Sequence, residues 1–107
     1  MDEQQKARLA GYLGIAQRAG KIAAGDTPAK EALQHKKASL LVLAEDASPQ
    51  VKEELLALAG DRVPVLSWPD KADLGRLVGK SRRGALALLD SGLAKAMLKV
   101  LDATIKS

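Results

Sequence analysis

The sequence predicts an α/β protein, a three-layer α/β/α sandwich with a small mixed four-stranded sheet. The first observation is a run of apolar residues between Ala38 and Ala44, which ends abruptly at the carboxylates Glu45 and Asp46. A run that is apolar on both faces is typical of a strand covered by helices on both sides. The second observation is that helical and extended patterns alternate along the chain, with helices at both ends. We therefore expect Ala38–Ala44 to hold the central strand.

Length and composition suit one domain, residues 1–107, with a single core. Hydrophobic residues make up 47% of the chain, yet Phe is absent and the aromatic residues are Tyr12 and Trp68. The core must therefore be aliphatic. A nucleic-acid surface that stacks bases on several aromatic rings is not expected.

Charge and cysteine content bear on partners and compartment. Seventeen Lys and Arg against thirteen Asp and Glu give a net charge of +4, a modest bias that suits a polyanionic partner. The chain has no Cys, so it has no disulfide framework and no thiolate metal site. The N-terminus is polar and no apolar run approaches the ~20 residues of a membrane span. We expect a cytoplasmic protein without a membrane partner.

The first part of the chain predicts two helices separated by a short strand. Helix one should span Glu3–Arg18, where apolar residues recur at helical spacing, with Gly20 as its terminator. Lys21–Gly25 is predicted to be a short edge strand. Asp26-Thr27-Pro28 is a helix-start signal, a capping side chain followed by Pro, and helix two should run to about Lys36.

Two glycines, Gly11 and Gly14, lie inside the predicted first helix. Each costs about 1 kcal/mol relative to Ala. We interpret them as marks of close packing between this helix and a neighbouring element.

The segment after the central strand repeats the same alternation. Ser48-Pro49 is a second cap-then-Pro signal and opens a third helix that Gly60 closes. Val63–Ser67 is predicted to be a second, shorter strand. The predicted core includes Val42, Leu43, Leu55, Leu86 and Leu88.

The last part of the chain predicts a short helix, a strand and a terminal helix. Asp70 opens the short helix and Gly79 ends it. Gly84–Leu89 returns as a strand, Asp90-Ser91 caps the final helix, and that helix should run to the C-terminus.

Three motifs could suggest an enzyme, and for each of them we favour another interpretation. Gly79-Lys80-Ser81 matches the end of a phosphate-binding P-loop but lacks the required upstream Gly, the preceding strand and the following helix. His35, the only histidine, has no ligand or base beside it, so we expect it to be solvated at a helix end. Glu45-Asp46 could form a paired-carboxylate catalyst, although we favour carboxylates that face water or help cap the helix near Pro49. We expect no catalytic residue, no metal and no cofactor.

The densest cationic group consists of Arg76, Lys80, Arg82 and Arg83. These four cations have no acid among them and exceed what compensation of a helix end requires, so they could bind phosphates. A solvated loop explains them equally well. The residues alone leave both alternatives open.

Three segments, taken together, resemble one protein family. They are Leu13–Lys21, Leu41–Ser48 and Leu74–Arg83, in this order over nearly the whole chain. The combination is similar to the ribosomal protein L7Ae/L30e family, and most of all to its short bacterial members, the L7Ae-like or kink-turn-binding proteins. The resemblance implies a three-layer α/β/α domain that binds sharply bent, internally looped RNA and has no enzymatic activity of its own.

In that family, RNA lies between the turn that opens the second helix and the loop before the last strand. The turn carries a Gly-Thr-Asn-Glu-like run followed three residues later by Lys. Alignment on Leu40–Asp46 places Gly25 on the family's Gly. The positions of the family's Thr, Asn, Glu and Lys are then occupied here by Asp26, Thr27, Pro28 and Glu31.

These departures change the chemistry that the turn offers. Pro28 supplies no hydrogen-bond donor and Glu31 reverses a charge, with Lys30 next to it as the candidate replacement. The helix N-terminus still presents backbone amides to phosphate. The second loop, Lys80–Ala85, is basic here rather than apolar, which favours phosphate contacts over base readout.

We therefore predict an RNA-binding protein whose partner is structured RNA, with ribosomal RNA as one candidate, no small-molecule substrate and a monomeric state. The alternative, which Asp26, Pro28 and Glu31 favour, is a domain of the same fold whose RNA site has decayed and which binds protein. The residues expected at the RNA site are Gly25, Asp26, Thr27, Lys30, Glu45, Arg76, Lys80, Arg82, Arg83 and Gly84.

Overall fold

The computed structural model describes residues 1–105, with side chains described as far as Leu101. Helices and strands alternate along these residues in the predicted order. The predicted end of the last helix at the C-terminus lies outside the described residues. The elements are α1 (Glu3–Arg18), β1 (Ile22–Ala24), α2 (Asp26–Gln34), β2 (Leu40–Ala44), α3 (Pro49–Ala59), β3 (Val65–Trp68), α4 (Lys71–Leu77), β4 (Ala85–Leu88) and α5 (Ser91–Ile105).

The four strands form one mixed sheet in the order β1-β4-β2-β3. Strand β2 is parallel to β3 and antiparallel to β4, and β4 is antiparallel to β1. All five residues of β2 are buried, because the strand has a neighbour on each side and helices on both faces. The prediction of a central strand in Ala38–Ala44 is confirmed.

Alternation along β2 divides the core between two helical layers. Leu40 and Val42 face a cluster with α1, α4 and α5, whereas Leu41 and Leu43 face a cluster with α2 and α3. The three-layer α/β/α sandwich is therefore confirmed. The residues predicted for the core are all buried: Val42, Leu43, Leu55, Leu86 and Leu88.

The predicted bounds of α1 are confirmed. Asp2 and Gln5 form a capping box at its start, and Gly20 follows its end with φ +70°. The interpretation of the internal glycines is wrong, however. A Cβ at Gly11 would meet nothing within 4 Å, and one at Gly14 would meet only Arg18 of the same helix.

Helix α2 starts two residues earlier than the prediction, in which Pro28 is the first helical residue. Gly25, with φ +115°, is the N-cap, so Asp26 and Thr27 lie inside the helix and Pro28 is its third residue. The Gly25 carbonyl accepts the Ala29 N–H at 3.0 Å, and the Gly25 N–H donates to the Ala85 carbonyl at 2.8 Å. Because β4 holds Gly25 in this way, the helix begins directly after it. The helix ends at Gln34, two residues before the predicted Lys36.

The other helix starts are confirmed by their side-chain caps. Ser48 Oγ accepts the Val51 N–H at 3.2 Å, and Asp70 Oδ1 accepts the Asp73 N–H at 2.7 Å. Strand β3 starts at Val65, two residues later than predicted, and extends to the buried Trp68. Among residues 1–105 there is no helix with the length and apolar character that crossing a membrane requires.

Candidate nucleic-acid interface

The turn before α2 and the basic loop before β4 meet at one edge of the sheet. Strands β1 and β4 are antiparallel, with Ala24 opposite Leu86, so the end of β1 lies beside the beginning of β4. A cleft opens between them, which we call the α2 cleft. It is lined by Ala24, Gly25, Asp26, Thr27, Pro28, Arg82, Arg83 and Gly84. The structure thus brings together six of the ten residues that the sequence predicts for the site.

One wall of the α2 cleft is the N-terminus of α2. Gly25 is buried, whereas Asp26, Thr27 and Pro28 are exposed. No described side chain caps this helix end. The helix dipole places partial positive charge at this end, where the backbone N–H groups of the first turn have no intrahelical acceptor. The backbone N–H groups of Asp26 and Thr27 therefore suit a negatively charged group, whereas the carboxylate of Asp26 on the same wall opposes one.

The opposite wall is formed by the two arginines of the loop. The Arg83 N–H donates to the Lys71 carbonyl at 2.9 Å, which fixes the loop against α4. The Arg83 guanidinium donates to Ser81 Oγ at 2.9 Å, and its Cδ and Nε would lie 3.6 Å from a Cβ at Gly25. Arg82 is exposed. Arg83 therefore flanks the open end of α2 directly, and Arg82 lines the same cleft.

The α2 cleft continues towards the start of α3. A second depression shares Asp26, Arg82 and Gly84 with it and adds Ala47, Ser48 and Lys71. A Cβ at Gly84 would lie 3.1 Å from the Cβ of Ala47 and 3.4 Å from Asp26 Oδ1. The loop backbone therefore lies directly against the residues that follow β2.

The two carboxylates after β2 differ in their contacts. Glu45 and Asp46 are both exposed. Asp46 Oδ1 accepts the Lys71 N–H at 2.8 Å, so it caps α4 rather than the predicted α3. Glu45 does not line the α2 cleft, and its backbone carbonyl accepts a hydrogen bond from Lys52 Nζ.

Arg76 is separated from the rest of the predicted basic cluster. Its guanidinium pairs with Asp73, one turn earlier in α4, and it lines a different groove beside Lys6 and Leu77. Asp73 also accepts the Trp68 Nε1–H at 2.9 Å and lies 3.3 Å from Lys6 Nζ. These contacts lower the pKa of Asp73 to about 2. The hydrogen bond from Trp68 has the largest effect, followed by that from Arg76, and Lys6 adds to them, whereas desolvation by burial acts in the opposite direction and raises the pKa. Trp68 and Lys6 therefore tie α4 to β3 and α1 through Asp73, and Arg76 pairs with the same carboxylate within its own helix.

The remaining predicted cations lie beside the α2 cleft rather than in it. Lys80 is exposed at the start of the loop. Lys30 forms an ion pair with Glu54 at 2.5 Å, in a pocket between α2 and α3 that also includes Asp26 and Thr27. Lys30 is thus next to the open end of α2 but is bound to an acid of the neighbouring helix.

One residue that positions the loop was missed by sequence reasoning. A Cβ on Gly75, in α4, would lie 1.8 Å from the Ser81 carbonyl oxygen and 2.7 Å from its carbon. The Lys80 N–H donates to the Gly75 carbonyl at 2.9 Å. The basic loop therefore folds back onto α4 where this helix has no side chain. A glycine inside a short helix, directly before the cationic run, was the available signal.

The motifs that suggested an enzyme take ordinary positions. Gly79, with φ +69°, follows helix α4 rather than a strand, and the element directly after Lys80 is strand β4, so the segment lacks the strand and helix that surround a P-loop. His35 is exposed and forms the C-cap of α2. Among the side chains that the structure describes, those of residues 1–101, no group of three or more His, Cys, Asp or Glu could hold a metal ion.

Comparisons with known proteins agree on one family. The model of the ribosomal protein L7Ae/L30e/S12e/Gadd45 family matches residues 7–98. The chain is 32% identical over 91 residues to RNA-binding protein YlxQ of Bacillus subtilis (strain 168), covering 84% of this chain and 91% of that protein. It is 33% identical over 97 residues to large ribosomal subunit protein eL8 of Cenarchaeum symbiosum (strain A), covering 89% and 75%. A solved structure of a protein with unknown function from Bacillus halodurans C superimposes with a TM-score of 0.83 at 29% identity, covering 90% and 98%.

Proposed function

The chain belongs to the ribosomal protein L7Ae/L30e/S12e/Gadd45 family, and from this premise we propose that it binds structured RNA through the α2 cleft. The preferred RNA is sharply bent and internally looped, as in a kink-turn. Relatives named as an RNA-binding protein and as a large ribosomal subunit protein support RNA as the partner class. The relative named as a large ribosomal subunit protein favours ribosomal RNA as the molecule that is bound.

The observation that carries this proposal is the meeting of an uncapped helix N-terminus with two arginines in one cleft. Backbone amides at a helix start and guanidinium groups are both strong donors to phosphate oxygens. Gly25 and Gly84 have no side chain to hold a ligand away from the backbone. A phosphate in the cleft would therefore contact α2 and the basic loop together.

The two walls are proposed to have different roles. Arg82 and Arg83 bind phosphates irrespective of sequence and supply most of the electrostatic attraction. The Gly25 turn, with the exposed hydroxyl of Thr27, approaches the bent part of the RNA and supplies selectivity. Lys30 and Lys80 make peripheral contacts, whereas Arg76, which lines another groove, and Glu45, which does not line the cleft, have no role in this proposal.

The proposal is tested by titrating the protein with a kink-turn RNA and with a straight duplex of equal length. We expect tighter binding to the bent RNA. Replacing Arg82 and Arg83 with Ala should weaken both RNAs by a similar factor. It should also lower the slope of log affinity against log salt, by about 0.9 for each duplex phosphate that the variant no longer neutralises. The matched control, Lys37→Ala with Arg62→Ala, removes the same charge from exposed residues outside the cleft.

Selectivity is tested by Gly25→Val and, with less strain on the backbone, by Thr27→Ala. We expect both variants to lose the preference for bent RNA while they still bind duplex, and thermal unfolding shows whether each is folded. Equal wild-type affinities for both RNAs would reduce the proposal to binding of any polyanion. If Gly25→Val kept the preference and the double Arg variant abolished it, the assigned roles would be reversed.

A protein-binding domain with a decayed RNA site is the second candidate. It is favoured by the carboxylate of Asp26 inside the cleft and by the Glu54 partner that Lys30 already has. This candidate would be supported instead if the wild type bound neither RNA more tightly than the double Arg variant does.

A further inference from the structure

A second cationic surface lies between α1 and α5, which we call the α1/α5 groove. Arg8 and Tyr12 line it from α1, and Lys95 and Lys99 line it from α5. The remaining lining residues are small or apolar, and no acid is among them. The groove belongs to the helical layer of α1, α4 and α5, whereas the α2 cleft lies beside the layer of α2 and α3.

The three cations of the groove form no ion pair with any described side chain. The ion pairs among those side chains join Lys6 and Arg76 to Asp73 and Lys30 to Glu54. Compensation of helix dipoles does not explain the groove's charges either, because none of the three cations lies in the last turn of its helix, where the dipole favours a cation. A structural role within the fold therefore does not account for them.

The arrangement suits a row of phosphates. Lys95 and Lys99 are one turn apart on α5, which places their Cβ atoms ~6 Å from each other on one face of the helix. Arg8 adds a donor from the other side of the groove, and the half-buried Tyr12 lies between the helices. The apolar residues Met97 and Val100 of α5 are buried in the core. The groove therefore offers charge without the apolar face that binding to a lipid surface requires.

We propose that the α1/α5 groove binds the phosphate backbone of a second segment of RNA, an arm that continues beyond the element held in the α2 cleft. This inference rests on the proposed function. The longest dimension of the protein is 34 Å. A duplex arm of about 20 base pairs is long enough to pass from one helical layer to the other, even though A-form RNA rises less per base pair than the roughly 3.4 Å of B-form DNA.

The test compares two bent RNAs that differ only in arm length, about 5 and about 20 base pairs. Lys95→Ala with Lys99→Ala should weaken the long-armed RNA about tenfold at moderate salt and lower its salt slope by up to about 1.8, for two phosphate contacts. The short-armed RNA should bind with unchanged affinity. Both lysines are exposed, so the variant should fold as the wild type does. The control is again Lys37→Ala with Arg62→Ala, which makes the same change in net charge.

Each possible result either supports or overturns the proposal that the α1/α5 groove binds RNA. Unchanged affinity and salt slope for the long-armed RNA would overturn the proposal, and so would an equal loss in the control variant, which would reflect net charge alone. A loss in the Lys95 and Lys99 variant with no loss in the Arg82 and Arg83 variant would support the groove and refute the α2 cleft. The reverse pattern would refute the groove and leave the cleft proposal intact.

Discussion

Gly75→Ala is the change that most directly tests how α4 positions the basic loop. The added Cβ would lie 1.8 Å from the Ser81 carbonyl oxygen, and an ordinary van der Waals contact begins at 3.4 Å. Helix and loop must therefore separate by about 1.6 Å, the difference between these distances. The nearest atoms belong to the backbone of Ser81 and Arg82, so no side-chain rotation can relieve the overlap.

The cost of this separation follows from the interactions near the loop. Overpacking of this kind costs about 1–3 kcal/mol. A shift of this size also strains the hydrogen bonds from Lys80 N–H to the Gly75 carbonyl and from Arg83 N–H to the Lys71 carbonyl, each 2.9 Å long. Breaking one hydrogen bond costs about 1 kcal/mol. The better helix propensity of Ala offsets about 1 kcal/mol of this loss in stability. We expect a net loss of about 1–3 kcal/mol in the free energy of unfolding.

The variant is measured by urea unfolding and by RNA titration. We expect lower stability together with weaker RNA binding, because Arg82 and Arg83 move away from the open end of α2. Gly11→Ala is the matched control. It also lies inside a helix, and a Cβ there meets nothing within 4 Å, so it should stabilise the protein by about 0.5–1 kcal/mol. If Gly75→Ala behaved like Gly11→Ala in both measurements, the reasoning about the loop would be refuted.

Two further predictions concern stability. Leu43→Ala, in the central strand, should lower the free energy of unfolding in urea by about 2–5 kcal/mol. The control Leu56→Ala, at a position on α3 that is 46% exposed, should lower it far less. Similar losses in the two variants would contradict the assignment of the core. Asp73→Asn should destabilise the protein by up to about 2 kcal/mol at pH 7, because the folded state lowers the pKa of Asp73 from 3.8 to about 2. This contribution is present above pH 3.8 and is lost as the pH falls towards 2, so wild type and variant should converge in unfolding experiments at acid pH. A constant difference across that range would show that ionisation of Asp73 is not the cause.

The sequence by itself determined the order and type of the elements. The apolar run in β2 is buried on both faces, so its pattern alone indicates an interior strand. The caps at Ser48 and Asp70 are local interactions over three residues, which is why they mark the starts of α3 and α4 correctly. Both walls of the α2 cleft were also available from the sequence, as a helix-start signal and a basic run.

The tertiary structure alone decided how these pieces meet. The start of α2 was misplaced because the hydrogen bond that holds Gly25 is accepted by Ala85, sixty residues away in the chain. Arg76 lies outside the predicted cluster because it pairs with Asp73, a carboxylate that Trp68 of β3 and Lys6 of α1 also contact. Gly11 and Gly75 are both glycines within helices, but only Gly75 lies against a passing backbone. Local patterns report what a residue does within its own helix or strand. The distances that make a binding site arise between segments far apart in the sequence, and only the folded chain determines them.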